Sequence, residues 1–435
     1  MLENIKRLGD KVPYFIGQKL GLIPYNIRLG HVYDDFKRLI DSSEIIQKNT
    51  QISLVDELVR FAYTNTTFYK EFYDKQGYVP GKIDSLNQLN EIPIVTKTDL
   101  FKVPLDDRSV KSIALKKCNT GGTTGQPLDF YIEKSAYARE WAHMHAIWAT
   151  LGYCYNQNKI TIRGKNIGFK FYKYNFNQNE FLINAYSPLV ENIEEFRNLV
   201  KKRNIQWIHG YPSSVYSFLL ELEKLDSKIF DQFISRIKGV FLGSEFPAPQ
   251  YRKYIESYCG LKTISWYGHS EMAVLAYEKE PGSGNYYPFQ SYGIAEAVPE
   301  DAYYRLVVTS IYNYATPLIR YDTGDFIEPI FKNGLMEYFR IKEGRNSEFV
   351  VDKNGRNISL TALIFGRHHK AFDFVEHIQV RQIMPGKIDI IICSQKSIIE
   401  WSKLFDFNHT YFDIHFQQVD KPFITPNGKV KLLII

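Results

Sequence analysis

Cysteine is scarce: the 435 residues hold four, Cys118, Cys154, Cys259 and Cys393, far apart and with no CxxC pair. That spacing excludes a zinc knuckle and a redox pair, and at this length a disulfide framework is not expected. Long apolar runs are missing too. No stretch is long and apolar enough for a transmembrane helix. No apolar signal core follows Met1-Leu2-Glu3-Asn4-Ile5-Lys6-Arg7, so the expected location is the cytoplasm. Charge of one sign is not concentrated either. Lys plus Arg is 54 and Asp plus Glu is 48, a net of +6, with no long basic block. No nucleic-acid partner is expected from that balance.

What is present is ordinary globular material, 44% hydrophobic and 23% charged. At roughly 150 residues per domain the length allows two or three domains. Aromatics reach 15%, with 31 Tyr and 30 Phe. They suit strands and flat-ligand pockets, and equally a core.

Apolar periodicity predicts a helix from Ile52 to Tyr73, and Thr96-Lys97-Thr98-Asp99 carries a capping threonine. Strands are predicted at Ser112–Leu115 and Leu128–Ile132, joined by the run Asn119 to Pro127, and a helix at Ser135–Thr150. The middle of the chain then alternates: strand at Trp207–His209, helix at Ser213–Leu225, strand at Gly239–Gly243, helix at Tyr251–Tyr258, strand at Thr263–Tyr267. Such alternation predicts βαβ units and a parallel sheet. Short strands follow, Pro317–Tyr321 among them. A boundary is placed at residues 341–348.

Several motifs carry chemistry, each beside a plainer reading. Thr120-Gly121-Gly122-Thr123-Thr124-Gly125 is a Gly/Thr loop able to cradle a phosphate, or a hairpin turn. It is not a Walker loop, because no Lys-Ser/Thr follows. Tyr267-Gly268-His269-Ser270-Glu271 follows a strand; Met272 stands where a nucleophile elbow needs glycine. Its alternative is a ligand-facing loop with a ring against a base and a carboxylate on a metal. Arg320-Tyr321-Asp322-Thr323-Gly324-Asp325 contains Asp-Thr-Gly, yet no second such triplet exists for an aspartic protease. Asp325 then suits ribose hydroxyls, or a turn. Gly344-Arg345 reads as a hinge, and Pro426-Asn427-Gly428-Lys429 as a turn bearing a lysine.

Taken in order, a Thr/Gly loop, YGxxE, RYxTGD, GR and a terminal PNGK resemble the adenylate-forming (ANL) superfamily over nearly the whole chain. Ile92-Pro93-Ile94-Val95-Thr96-Lys97 looks like the P-x-x-x-K segment of its phenylacetate–CoA ligase-like branch. Leu128 and the hairpin from Asp352 to Ser359 look closest to the CapK-type members associated with capsular polysaccharide synthesis.

The resemblance implies an α/β fold. Residues 1–341 would form a large domain with two α/β lobes and a β-rich lobe, and 342–435 a small mobile α+β lid. It implies ATP- and Mg²⁺-dependent activation of a carboxylic acid to an acyl-adenylate, then transfer to a thiol or amine, with coenzyme A as one thiol. By this resemblance Thr120 to Gly125 would wrap the β- and γ-phosphates, and Gly243, Ser244 and Glu245 would lie beside adenine. Tyr267 and Gly268 would stack on adenine, Glu271 would bind magnesium, and Asp325 would hold the ribose. Arg345 would make a second nucleotide contact, and Lys429 would meet the carboxylate and α-phosphate. Tyr137, Trp141, His145 and Tyr211 are candidates for the acid pocket, or for core packing. A silent glycan-precursor or nucleotide-binding protein is the alternative of another class. Three departures stand out: Leu128 where lysine is common, Asn346-Ser347 where the hinge is usually acidic, and a short tail after Gly344.

Overall fold

The computed structural model describes residues 12–120, 128–163, 167–168, 170–184, 187–245, 247, 249–300, 303–332, 335–343, 349–360, 363–364, 369–375, 377–394, 396, 400–407, 411–423 and 432–434. In chain order the first strands are β1 (Lys116–Asn119) and β2 (Asp129–Ile132), which pair antiparallel as a hairpin. The glycine-rich run therefore joins two strands, and no helix follows it directly.

Twelve strands form one sheet. They are β3 (Asn158–Arg163), β4 (Tyr172–Asn175), β5 (Glu180–Asn184), β6 (Ile205–Gly210), β7 (Gly239–Leu242), β8 (Thr263–Gly268), β9 (Leu275–Glu278), β10 (Tyr286–Pro288), β11 (Ile294–Glu300), β12 (Tyr303–Thr309), β13 (Tyr321–Lys332) and β14 (Leu335–Glu343). Their spatial order is β11-β12-β13-β14-β10-β9-β8-β7-β6-β3-β5-β4. From β8 through β5 every neighbouring pair is parallel, whereas β8 to β11 on the other side pair antiparallel. The expected lobes are thus continuous through β8.

Burial follows from this arrangement. All of β5 and β7 is buried, as a parallel strand covered on both faces must be. One cover is built on the helices Leu189–Lys202, Pro212–Leu225 and Ser227–Ile234, whose Phe196, Leu219 and Phe233 are fully buried. On the other face lies the helix Ala136–Ala149. Its Trp148 stacks on Phe241 at 4.8 Å, and Phe241 stacks on Trp207 at 5.2 Å.

Three boundaries differ from the sequence reading. The helix foreseen over Ile52–Tyr73 is two, Glu44–Asn65 and Thr67–Lys75. Thr66 breaks them because its backbone turns extended and its hydroxyl accepts from the Tyr69 N–H at 3.2 Å. Lys111–Ile113 is a short 3₁₀ turn, and the strand starts only at Lys116. Pro317–Arg320 is not strand: the Pro317 carbonyl accepts from the Tyr69 hydroxyl, and Arg320 takes a left-handed φ of 45°.

The C-terminal part holds β15 (Phe349–Val351) and β16 (Asn357–Ser359) as a hairpin. A four-stranded sheet follows, ordered β19 (Asp413–Val419), β18 (Lys387–Cys393), β17 (His377–Met384), β20 (Leu433–Ile434). These strands bury a core of their own, from Val350 to Leu432. β14 reaches Glu343 within the large sheet, and Gly344–Glu348 lie outside the described residues. The smaller part meets the β1–β2 hairpin, where Lys117 Nζ lies 3.6 Å from Asp373 Oδ1.

Candidate functional site

The carboxyl ends of the parallel strands β6, β7 and β8 lie side by side, the place where open α/β sheets bind ligands. Each end runs into one expected site residue. After β6, Tyr211 is nearly buried and caps the helix Pro212–Leu225. After β7 come Gly243, Ser244 and Glu245. Gly243 is required there: a Cβ would stand 2.3 Å from the Trp266 indole on β8. Ser244 holds a left-handed φ of 67°, so the chain turns sharply. The turn delivers Glu245 to the start of the helix Pro212–Leu225 that follows β6, where its Oε2 accepts from the Ser213 hydroxyl at 2.7 Å and the Ser213 N–H at 3.3 Å. A carboxylate on a helix N-terminus is electrostatically favoured.

β8 ends in Tyr267-Gly268. The Tyr267 ring packs edge-on against Phe339 of β14, centroids 5.3 Å apart, and its hydroxyl donates to Asp325 Oδ2 at 2.6 Å. Asp325 reaches that point through a short turn in β13. Arg305 donates to Asp322 Oδ2 at 2.6 Å, and the Gly324 N–H donates to Asp322 Oδ1 at 2.8 Å. Gly324, with φ 75°, makes a bulge within β13, and the Asp325 N–H donates to Thr323 Oγ1 at 3.2 Å. Asp322 is thus a structural carboxylate, while Asp325 faces the end of β8.

The next turn is tight. The Met272 N–H donates to the His269 carbonyl at 3.0 Å, and Met272 takes φ 53°, unusual for a side chain of that size. Within it Glu271 is only 8% exposed, and His269 Nδ1 lies 3.3 Å from its Oε2. Burial pushes the Glu271 carboxyl up, but His269 first, then a backbone N–H and, as the smallest contribution, the charge of Lys97 hold the group below the usual carboxylate range. Glu271 is a buried anion.

Lys97 arrives from the opposite end of the domain. The Val95 N–H donates to the Arg320 carbonyl at 3.0 Å, and the Asp322 N–H donates to the Val95 carbonyl at 2.9 Å. This parallel bridge docks residues 92–97 onto the start of β13. Arg320 reinforces it, donating to the Ile92 carbonyl at 2.6 Å and pairing with Glu296 at 3.0 Å. Thr96 and Asp99 form a capping box, so Lys97 opens a helix, Lys97–Phe101.

Thr120 closes the neck of the Gly/Thr loop. Its N–H donates to the Leu128 carbonyl and its hydroxyl accepts from the Leu128 N–H, each at 2.9 Å. Leu128 itself is fully buried in the core, so a lysine there would bury its charge. Gly121, Gly122, Thr123, Thr124, Gly125, Arg345 and Lys429 lie outside the described residues.

The acid-pocket expectation divides. Tyr137 packs with Phe130, Ile132 and Met272, beside the Glu271 turn. His145 is half-buried and engaged in aromatic packing. Its Nδ1 pairs with the Tyr33 hydroxyl at 2.8 Å, its ring abuts Tyr25 at 4.4 Å, and burial lowers its pKa to about 3. Trp141 joins the same aromatic packing, against Tyr25, His145 and Trp148.

No family model matches the chain. Protein CapK of Staphylococcus aureus is 25% identical over 437 residues, covering 93% of this chain and 92% of that one. A 2-hydroxyisobutyryl-CoA ligase, solved with 2-HIB-AMP and CoA in the thioesterification state, aligns at a TM-score of 0.57 and 15% identity, with 90% of each chain covered. Its open conformation aligns at 0.52 and 15%, covering 90% of this chain and 92% of that chain. This chain has the adenylate-forming ligase fold.

Within an adenylate-forming ligase fold the described residues suit a nucleotide and a magnesium ion. No three His, Cys, Asp or Glu side chains converge among them as a self-sufficient metal cage. Mg²⁺ does not require one; it binds through one or two carboxylates plus substrate phosphates and water. An ionised, nearly buried Glu271 meets that need.

Two groups escaped the sequence reading. Lys97 was visible only as the end of a P-x-x-x-K segment. Arg139 gave no signal, since an arginine on an amphipathic helix normally points to water. Here it is 1% exposed, between the Tyr292 and Tyr312 rings at 5.0 and 5.3 Å, with Nη2 donating to the Met272 carbonyl at 3.4 Å. Neighbouring Glu140 accepts from the Tyr292 hydroxyl at 2.5 Å. Burial raises the Glu140 carboxyl above the usual range. These groups back the strained Met272 turn.

Proposed function

We propose that this protein is an ATP- and Mg²⁺-dependent ligase that activates a carboxylic acid as its acyl-adenylate and transfers the acyl group to a thiol or an amine. The observation that carries this reading is the Tyr267–Asp325 hydrogen bond at the end of β8, followed directly by the turn that holds the nearly buried Glu271 beside His269, with Lys97 on the segment docked at the start of β13. An aromatic ring, a hydroxyl acceptor, a metal-binding anion and a cation are the groups that adenine, ribose, Mg²⁺ and phosphate call for.

In the proposed reaction a carboxylate oxygen attacks the α-phosphorus and pyrophosphate leaves. The acceptor then attacks the acyl carbonyl and AMP leaves. Tyr267 lies along the adenine and Asp325 takes the ribose hydroxyls. Glu271 would hold a magnesium ion, which would neutralise phosphate charge. Thr120 fixes the strand end from which Gly121–Gly125 would bind the phosphates, and Lys97 would add positive charge. Lys429 and Arg345 would offset the charge that builds when two anions meet. Coenzyme A is the first thiol to test. The resemblance to CapK-type members points to surface polysaccharide assembly as the setting of the reaction.

ATP–pyrophosphate exchange over a panel of carboxylic acids, uronic acids included, tests the reading. Exchange with one acid class, falling about 10²–10³-fold in Lys429→Ala, is expected. Exchange with no acid, together with no rise in melting temperature on adding ATP and Mg²⁺, would favour a silent binding protein.

A further inference from the structure

Large apolar side chains are exposed together near the start of the described chain, far from the nucleotide site. Phe15 is 69% exposed, Leu22 55% and Ile27 72%. They lie on and between two short helices, Tyr14–Leu20 and Tyr25–Leu29. The first helix packs against the outer edge of the large sheet: a Cβ on Gly17 would stand 3.1 Å from the Tyr174 ring of β4. A cleft of about 600 Å³ opens there, lined by Tyr14, Phe15, Gln18, Lys19, Leu22 and Arg203.

The charge of this cleft has one sign. Lys19 is exposed on its wall, and the Arg203 guanidinium lies 3.8 Å over the Tyr14 ring. Exposed Lys201 and Lys202 end the helix that leads into Arg203. None of the six lining residues is acidic. Lys170, also exposed, precedes the edge strand β4.

We propose that this face docks onto an anionic lipid surface, with Phe15, Leu22 and Ile27 entering the interface and Lys19, Lys201, Lys202 and Arg203 meeting headgroup phosphates. Apolar tips ringed by cations on short helices lying along a surface are the pattern of interfacial attachment. A second copy of this chain fits less well. Two-fold pairing sets a patch against itself, which would bring Lys19 and Arg203 against their own copies. β4 is five strand positions from β8, about 24 Å at about 4.8 Å per step, so docking leaves the nucleotide site open. This proposal does not depend on the ligase reading.

Co-sedimentation of the full chain with vesicles tests it. Vesicles of phosphatidylcholine and phosphatidylglycerol should bind it, vesicles of phosphatidylcholine alone should not, and high salt should weaken the binding. Phe15→Ser with Leu22→Ser should lower partitioning tenfold or more. Lys19→Gln should lower it about fivefold, about 1 kcal/mol. All three positions are exposed, so an unchanged melting temperature should accompany the loss. Equal binding by wild type and the double variant, equal binding to neutral and anionic vesicles, or binding to neither, would overturn the proposal. So would a wild-type dimer that fails to bind vesicles and becomes monomeric in the double variant.

Discussion

The Tyr267 hydroxyl and Asp325 Oδ2, 2.6 Å apart, tie the end of β8 to the turn in β13. The parallel half and the antiparallel half of the sheet thus meet at this side-chain hydrogen bond as well as through backbone pairing. It orients the Asp325 carboxylate before any ligand arrives, and it separates two roles for mutation. Asp325→Ala should weaken ATP binding at least tenfold, since two charge-assisted hydrogen bonds to ribose at about 1.5–3 kcal/mol each would be lost. Tyr267→Phe keeps the ring and should weaken binding much less. Calorimetric titration with ATP measures both; wild-type affinity in Asp325→Ala would remove the ribose role.

Glu271→Gln keeps the shape of the turn and removes the anion. The Mg²⁺ concentration for half-maximal exchange should rise about tenfold or more, since a neutral amide is a poorer ligand for a hard cation. The pH dependence has a definite sign. The folded carboxyl titrates below its ordinary value, about 4.3 when unfolded. Its ionised form therefore contributes stability above about pH 4.3 and loses it as pH falls through the folded value. Melting curves of wild type and Glu271→Gln should keep a constant separation near neutrality and converge only below about pH 4.3. Convergence at pH 6 would mean that Glu271 is protonated in the fold.

Lys97 acts on Glu271 by charge. Lys97→Met should slow pyrophosphate exchange about tenfold or more, as loss of a preorganised cation does, while Lys97→Arg keeps the charge and should restore part of it. The same Met variant should move the convergence described for Glu271 to higher pH. Full exchange activity in Lys97→Met would confine Lys97 to capping a helix.

Gly243→Ala tests the proposed adenine floor. The new methyl would overlap the Trp266 indole at 2.3 Å, so β7 and β8 must part or the indole must turn. Overpacking of this kind costs about 1–3 kcal/mol. A lowered melting temperature and weaker ATP binding should appear together. Gly81→Ala, whose Cβ meets nothing within 4 Å, is the control and should change neither.

Much of the fold was legible because parallel strands buried on both faces read as short apolar runs between helices. Gly239–Leu242 and Thr263–Gly268 fell where those runs predicted. The Tyr-Gly-x-x-Glu and Thr-Gly-Asp motifs singled out Tyr267, Glu271 and Asp325, since each belongs to a strand end, turn or bulge that needs specific residue types. Gly324 with its positive φ makes one such bulge. The order of motifs was enough to indicate the adenylate-forming ligase fold.

Tertiary structure alone decided which of those residues meet. Asp322 and Asp325 look alike in sequence, yet Arg305 on the neighbouring strand holds the first and leaves the second to Tyr267. His145 and Tyr137 looked alike in sequence, and only the fold sets His145 among Tyr25, Tyr33 and Trp148. Lys97 lies far from β13 along the chain, and the bridge between Val95 and Tyr321 docks its segment there. A sequence pattern records local conformational demands and the face that must be buried. It does not record long-range contacts, because those depend on how separate elements pack once the chain has folded.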